Sequence, residues 1–159
     1  MKIPLILTAV LIILDQLTKH LADVFISYGS SVKIIPFFNS FNLTNVHNTG
    51  VAFSMFQGKN FFFTVFTAVF LAAIGFWLYK NRAKLSTIQK YAFALILAGG
   101  FGNLIDRIFR GAVIDFLDFG INTLRWPAFN IADSCVCIAA GLILVEIIMA
   151  SKVSGGRRN

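Results

Sequence analysis

Apolar residues gather along this chain in four long stretches joined by short polar links. Phe61 to Tyr79 is 19 residues without a charge, close to the roughly 20 an α-helix needs to cross the hydrocarbon core of a bilayer. Ile3 to Leu14 is uncharged and continues through Asp15-Gln-Leu-Thr-Lys19 into Leu21 to Ile26. It opens like a signal peptide, but no small-x-small cleavage site follows, so it predicts a retained first helix. Tyr91 to Ile105 leads into Asp106-Arg107, and Ile131 to Ser151 is interrupted only by Asp133 and Glu146. The pattern predicts an α-helical integral membrane protein, a single domain over 1–159 with four transmembrane helices at about 3–26, 61–79, 91–107 and 131–151. Ser151 to Asn159 reads as a disordered tail.

The two longer connections, about 27–60 and 108–130, carry different patterns. Val32-Lys-Ile-Ile-Pro36 and Phe41-Asn-Leu-Thr44 alternate around an Asn-Ser turn signal, which predicts a small β-hairpin or platform. In Val113-Ile-Asp-Phe-Leu-Asp-Phe119, Asp115 and Asp118 are three apart among apolar residues, which predicts a short interfacial helix with the acids on its polar edge.

Composition narrows the class further. Of the 159 residues 57% are hydrophobic, 18 of them Phe, and only 13% are charged, against about 25% charged in soluble domains. Neither a disordered tail nor an ordinary soluble enzyme fits that balance. A net charge of +7 invites nucleic acid as a partner, yet the basic residues form no contiguous stripe for tracking phosphates. Instead Lys80, Arg82, Lys84 and Lys90 crowd one short link, and Lys152, Arg157 and Arg158 end the chain, as cytoplasmic loops do. With Lys2 this predicts cytoplasmic termini and outward-facing long connections. Eight basic residues against Glu146 then leave the whole excess inside, while six basic and six acidic residues balance outside.

Cys135 and Cys137 lack the second ligand pair of a zinc site and read as inert packing. His20 and His47 are isolated, with no metal-binding motif, and read as polar surface or interface residues.

Acids inside a membrane are expensive and point to function. Asp15 lies about twelve residues up the first helix, roughly 18 Å from its inner end at 1.5 Å per residue. Asp106 ends the third helix, Asp133 opens the fourth, and Asp115 lies between them, so four carboxylates converge near the outer face. Asp15 and Lys19, at i and i+4, can pair on one helix face. Asp106 beside Arg107 reads equally as a loop-fixing ion pair. Asp115 and Asp133 have no basic neighbour one turn away, and two carboxylates held close in apolar surroundings cannot both ionise. That is the arrangement in which an ionised acid activates water and a protonated one polarises a carbonyl. Other readings stay open: a small transporter with an Asp15–Lys19 relay, a membrane scaffold that needs none of these acids, or a Ser-Lys peptidase using Ser134 and Lys19. Against the last, Asp133 beside the serine and Asp15 near the lysine favour ion pairs over a neutral lysine base.

Five motifs nevertheless stand in one order: Asp15-Gln-Leu-Thr-Lys19, Val46-His-Asn-Thr-Gly-Val-Ala-Phe53, Gly102-Asn-Leu-Ile-Asp-Arg107, Val113-Ile-Asp-Phe116 and Phe129-Asn-Ile-Ala-Asp-Ser134. Together they resemble the bacterial signal peptidase II (lipoprotein signal peptidase) family over essentially the whole chain short of the tail. The resemblance implies an aspartic endopeptidase of the bacterial cytoplasmic (inner) membrane that removes the signal peptide from diacylglyceryl-modified prolipoproteins, cutting just before the lipidated cysteine. It implies catalytic roles for Asp115 and Asp133. Asn48, Gly50, Asn103, Arg107 and Asn130 become substrate-binding or supporting residues, and Asp15, Lys19 and Asp106 structural polar supports. Ala98 departs mildly from the family, where many members have Gly. The expected partners are prolipoproteins and membrane lipids, for a monomer without nucleic acid, metal or other cofactor. The segments Val32 to Asn48 and Val113 to Asn122 are expected to clamp the scissile region.

Overall fold

The computed structural model describes residues 2–35, 37, 40–50 and 56–155. Pro36, Val51 to Phe53, Arg157 and Arg158, named above, lie outside these residues. Among the described residues four helices are long and apolar enough to cross a membrane: α1 (Lys2–Phe25), α2 (Asn60–Asn81), α3 (Thr87–Phe109) and α4 (Ile131–Gly155). The strands are β1 (Ser31–Ile35), β2 (Phe41–Asn48), β3 (Val113–Ile121) and β4 (Leu124–Arg125), and they form one antiparallel sheet in the order β1-β2-β3-β4.

Helix α3 packs against each of the other three helices. In lipid there is little hydrophobic drive between helices, so close backbone approach through small residues has to supply the packing. The Ala98-Gly-Gly-Phe-Gly102 run does this on three sides. A Cβ at Gly99 would strike the Ala132 carbonyl of α4, and one at Gly100 would lie 2.6 Å from Leu71 of α2. At Gly102 it would lie 2.6 Å from the Asp15 carboxylate of α1. Ala98 is itself buried among these contacts. Helix α2 buries only Leu71 and Leu78. Its Phe62, Phe66 and Phe70 stack one turn apart on an exposed face, which accounts for part of the aromatic content.

Three expectations about element bounds change. The segment predicted as a short interfacial helix is strand β3. Its β-branched and aromatic residues suit a pleated surface, and β2 offers a free edge to pair with; the i, i+3 spacing of the acids therefore sets them on opposite faces instead of one. The tail expected to be irregular from Ser151 continues α4 to Gly155, where consecutive glycines begin. Helix α3 starts ahead of its apolar run because Ser86 and Gln89 form a reciprocal capping box.

The hairpin expected from the alternating residues is β1–β2. Where β2 meets β3 its register slips: Leu43 faces Leu117, but Val46 faces Asp115. Three steps along β2 thus match two along β3, a bulge at Thr44-Asn45. A one-residue slip moves every later side chain to the other face, so Asn48, two residues past Val46, shares a face with Asp115. The buried Asn45 anchors the bulge by donating to the Ile26 carbonyl at 2.8 Å.

Candidate active site

The chain returns from β3 and β4 to the start of α4 through Phe129, whose N–H donates to the Leu117 carbonyl at 3.0 Å and whose carbonyl accepts from Phe116 and Leu117. That pinning brings Asn130 and Asp133 against Asp115. Asn130 caps α4: its Oδ1 accepts the Asp133 N–H at 2.9 Å, and the Asp133 Oδ2 accepts the Asn130 N–H at 3.2 Å. Such a reciprocal cap fixes a carboxylate at the positive end of a helix. Asn130 also has a second role, because its Nδ2 donates to the Asp115 Oδ1 at 2.7 Å.

Two further amides complete the constellation. Asn48 Nδ2 donates to the Asp115 Oδ2 at 3.1 Å, and Asn103 Nδ2 donates to the Asp133 Oδ1 at 2.8 Å. Each amide is oriented by a group that can only donate: the Gly50 N–H on the Asn48 Oδ1 at 3.0 Å, the Asp133 N–H on Asn130, and the Lys19 ammonium on the Asn103 Oδ1 at 2.9 Å. All three NH2 groups are consequently turned toward carboxylates. Arg107 Nη2 donates to the Gly50 carbonyl at 3.1 Å and its guanidinium lies 5.9 Å from the Phe63 ring centre. Its Nε has no partner among the described residues.

These groups border an open cleft of about 620 Å³, with Asn48, Asn103, Arg107, Asp115 and Asp133 on its polar wall. Trp126 and Ile138 lie on its apolar side, both more than half exposed. The Asp115 carboxyl is pushed up from its ordinary 3.8 to about 7, first by burial and then by the negative charge of Asp133.

Asp15, Lys19 and Asp106 stand behind this wall. The three Lys19 N–H groups reach Asp15 at 2.9 Å, Asp106 at 2.8 Å and Asn103, and all three charged side chains are at most 1% exposed. Asp15 also accepts the Ala132 N–H at 2.8 Å, which ties α1 to the first turn of α4. Asp106 pairs with Lys19 and Arg110; the ion pair read from its neighbour Arg107 is not among its contacts, since adjacent helical side chains diverge. An open relay through Asp15 and Lys19 finds no support, because none of the three lines the cleft. Gln16 was not singled out from the sequence, yet it donates to the Gly102 carbonyl at 3.0 Å and to Asp106 at 3.2 Å. A polar residue beside the intramembrane pair was the available signal. Cys135 and Cys137 are unpaired, and Cys137 borders the cleft. His20 is exposed, and His47 lies 3.1 Å from Asp23.

A bilayer-spanning bundle with two carboxylates and convergent amides on one cleft fits the class to which the family assigns the chain, a membrane peptidase of the aspartic type. A family model described as signal peptidase (SPase) II matches residues 7–149, and the chain belongs to that family. A lipoprotein signal peptidase of Alteromonas mediterranea is 41% identical over 145 residues, 89% of this chain and 78% of its own length. Its namesake from Fusobacterium nucleatum is also 41% identical over 145 residues, 90% and 84% of the two chains. Two solved structures, each described as a bacterial membrane enzyme, superpose with TM-scores of 0.85 and 0.80. The first is 31% identical and matched over 95% of this chain and 90% of its own; the second is 32% identical, over 92% and 93%. The protein is accordingly a multi-pass bacterial membrane protein.

Proposed function

We propose that Asp115 and Asp133 are the catalytic dyad with which this chain removes the signal peptide from prolipoproteins. The observation that supports this reading most directly is the set of three amide NH2 groups turned onto two carboxylates that border one cleft. Asp133, at a helix N-terminus and accepting from Asn103 and Asn130, is the ionised member; Asp115, pushed up to about 7, holds the proton. Asp133 takes a proton from water, whose oxygen attacks the scissile carbonyl carbon while the Asp115 O–H donates to the carbonyl oxygen. As the adduct collapses, the C–N bond breaks, Asp133 passes its proton to the departing amine, and Asp115 recovers its own. Arg107 and Asn48, on the cleft wall, align the peptide, and Asn130 and the Gly50 backbone hold the site's polar groups in place.

The substrate is a diacylglyceryl-modified prolipoprotein cut just before its lipidated cysteine. Exposed Val136 and Ile138, along the α4 side of the cleft, give a signal helix an apolar way in from the surrounding lipid. Both termini are cytoplasmic and the site lies near the outer face of the cytoplasmic membrane, an orientation supported by the basic α2–α3 link. The strands clamp the scissile region of a chain that works as a monomer. The test is a gel-shift cleavage assay on a diacylglyceryl-modified prolipoprotein with Asp115→Asn, Asp133→Asn and Asp106→Asn. Either of the first two is expected to lose about 100-fold or more of the rate, and full cleavage by either one overturns the dyad.

A further inference from the structure

We infer that Lys19 is a positioning residue for the reaction, acting through Asn103 to hold Asp133 as the ionised member of the dyad. The inference rests on the dyad reading. An ammonium has three donors and no acceptor, and here all three are used: on Asp15 at 2.9 Å, Asp106 at 2.8 Å and Asn103 Oδ1 at 2.9 Å. Two carboxylates and one amide oxygen surround Lys19, and it has no exposed surface. It cannot accept a hydrogen bond from Asn103, so the amide cannot turn over. Asn130 Nδ2 adds a second donor on the same Oδ1 at 3.3 Å. The Asn103 NH2 therefore faces Asp133 at 2.8 Å and offers that carboxylate a donor in every turnover.

The amide thus converts a buried positive charge into a directional donor. A carboxylate accepts that N–H more strongly than a protonated carboxyl does, so the fixed donor favours the ionised form of Asp133. The other charges facing this group are Asp106 and Arg110 behind Lys19, Arg107 and Asp115 across the cleft, and Asp15, whose remaining oxygen accepts the Ala132 N–H beside Asp133. Asp15 and Asp106 offset much of the Lys19 charge, and Asn103 is the group that links Lys19 to the dyad by hydrogen bonds.

The test compares wild type, Asp15→Asn and the charge-balanced double variant Lys19→Met/Asp15→Asn in detergent, with kcat and KM measured against pH on the diacylglyceryl-modified substrate. The double variant is expected to lose about 10- to 100-fold in kcat, the worth of one hydrogen bond to a charged group. Its KM should stay within about threefold, and the acid limb of its pH profile should move up by about one unit. Asp15→Asn alone, which removes a negative charge beside the Lys19 site, should not move the limb up. A folded double variant with an unmoved limb, or an Asp15→Asn limb that moves as far as that of the double variant, overturns the role given to Lys19. Should the double variant not fold, side-chain ¹⁵N–¹H spectra of asparagine-labelled wild type decide. The Asn103 NH2 pair must shift along the same acid limb as cleavage, and a pair blind to that titration refutes the inference. Asp133→Asn, assayed in parallel, separates the two readings: cleavage surviving there sinks the dyad itself, while its loss beside an unmoved limb sinks only the part of Lys19.

Discussion

The carboxyl of Asp115 makes the folded protein sensitive to pH in a way that can be measured apart from catalysis. Burial, with the nearby Asp133 charge adding to it, moves its titration from 3.8 to about 7. Between those values the unfolded chain has released this proton and the folded chain has kept it, so stability falls as pH rises across the window and levels off above about 7. Three pH units at 1.36 kcal/mol each make about 4 kcal/mol. Asp115→Asn keeps the shape and removes the charge. It leaves one oxygen for the two amide donors from Asn48 and Asn130, which costs about 1 to 2 kcal/mol. The variant should therefore be less stable than wild type at pH 4 by about 1 kcal/mol and more stable at pH 8 by about 2 kcal/mol, with the two curves crossing near pH 5, roughly where the loss of 1.36 kcal/mol per unit above 3.8 matches that cost. Reversible unfolding in mixed micelles at a series of pH values measures the difference, in which the other titrating groups largely cancel. A variant less stable than wild type at both ends, or a difference that does not change with pH, would falsify the burial argument.

Three other outcomes follow from the same geometry. With Asp115 as the acid, kcat/KM should decline as pH rises through about 7, and an activity still climbing at pH 9 would assign the proton elsewhere. Gly102→Ala would push a Cβ to 2.6 Å from Asp15 and 3.0 Å from Ala132; it should destabilise the bundle by about 1 to 3 kcal/mol. Gly141→Ala, with nothing within 4 Å, is the control, and thermal unfolding that ranks the two equally would contradict the packing. Arg125→Ala breaks the bidentate pair with Asp118 on the far side of the sheet, so it should lower stability by about 1 kcal/mol while cleavage persists within about threefold, as an activity assay at substrate saturation would report.

The relation between α1 and the site shows how far a linear reading reaches. Asp15 and Lys19 are one helical turn apart, so their pairing needed nothing beyond helix geometry, and it is present at 2.9 Å. Asp106 was equally visible as an intramembrane acid, but its partners come from α1 and from one turn further along α3, and no local rule chooses them over the adjacent Arg107. The acids of β3 stand at helical spacing because three residues fit one turn. Pairing with β2, which lies 65 or more residues earlier in the chain, overrides that local preference.

What the sequence alone determined is whatever depends on solvent and on near neighbours: apolar runs long enough to span a bilayer, basic links that orient them, an alternating hairpin, and acids too costly in lipid to be incidental. Its ordered motifs also named the family and nominated Asp115 and Asp133. Tertiary structure alone decided how those residues meet. The bulge in β2 turns Asn48 onto the Asp115 face, the Phe129 bridge brings the α4 cap beside it, and the glycines of α3 let α1 approach until Lys19 reaches Asn103. Each of these depends on contacts between segments far apart in the chain, where a shift of one residue or one methyl group changes which polar atoms face each other.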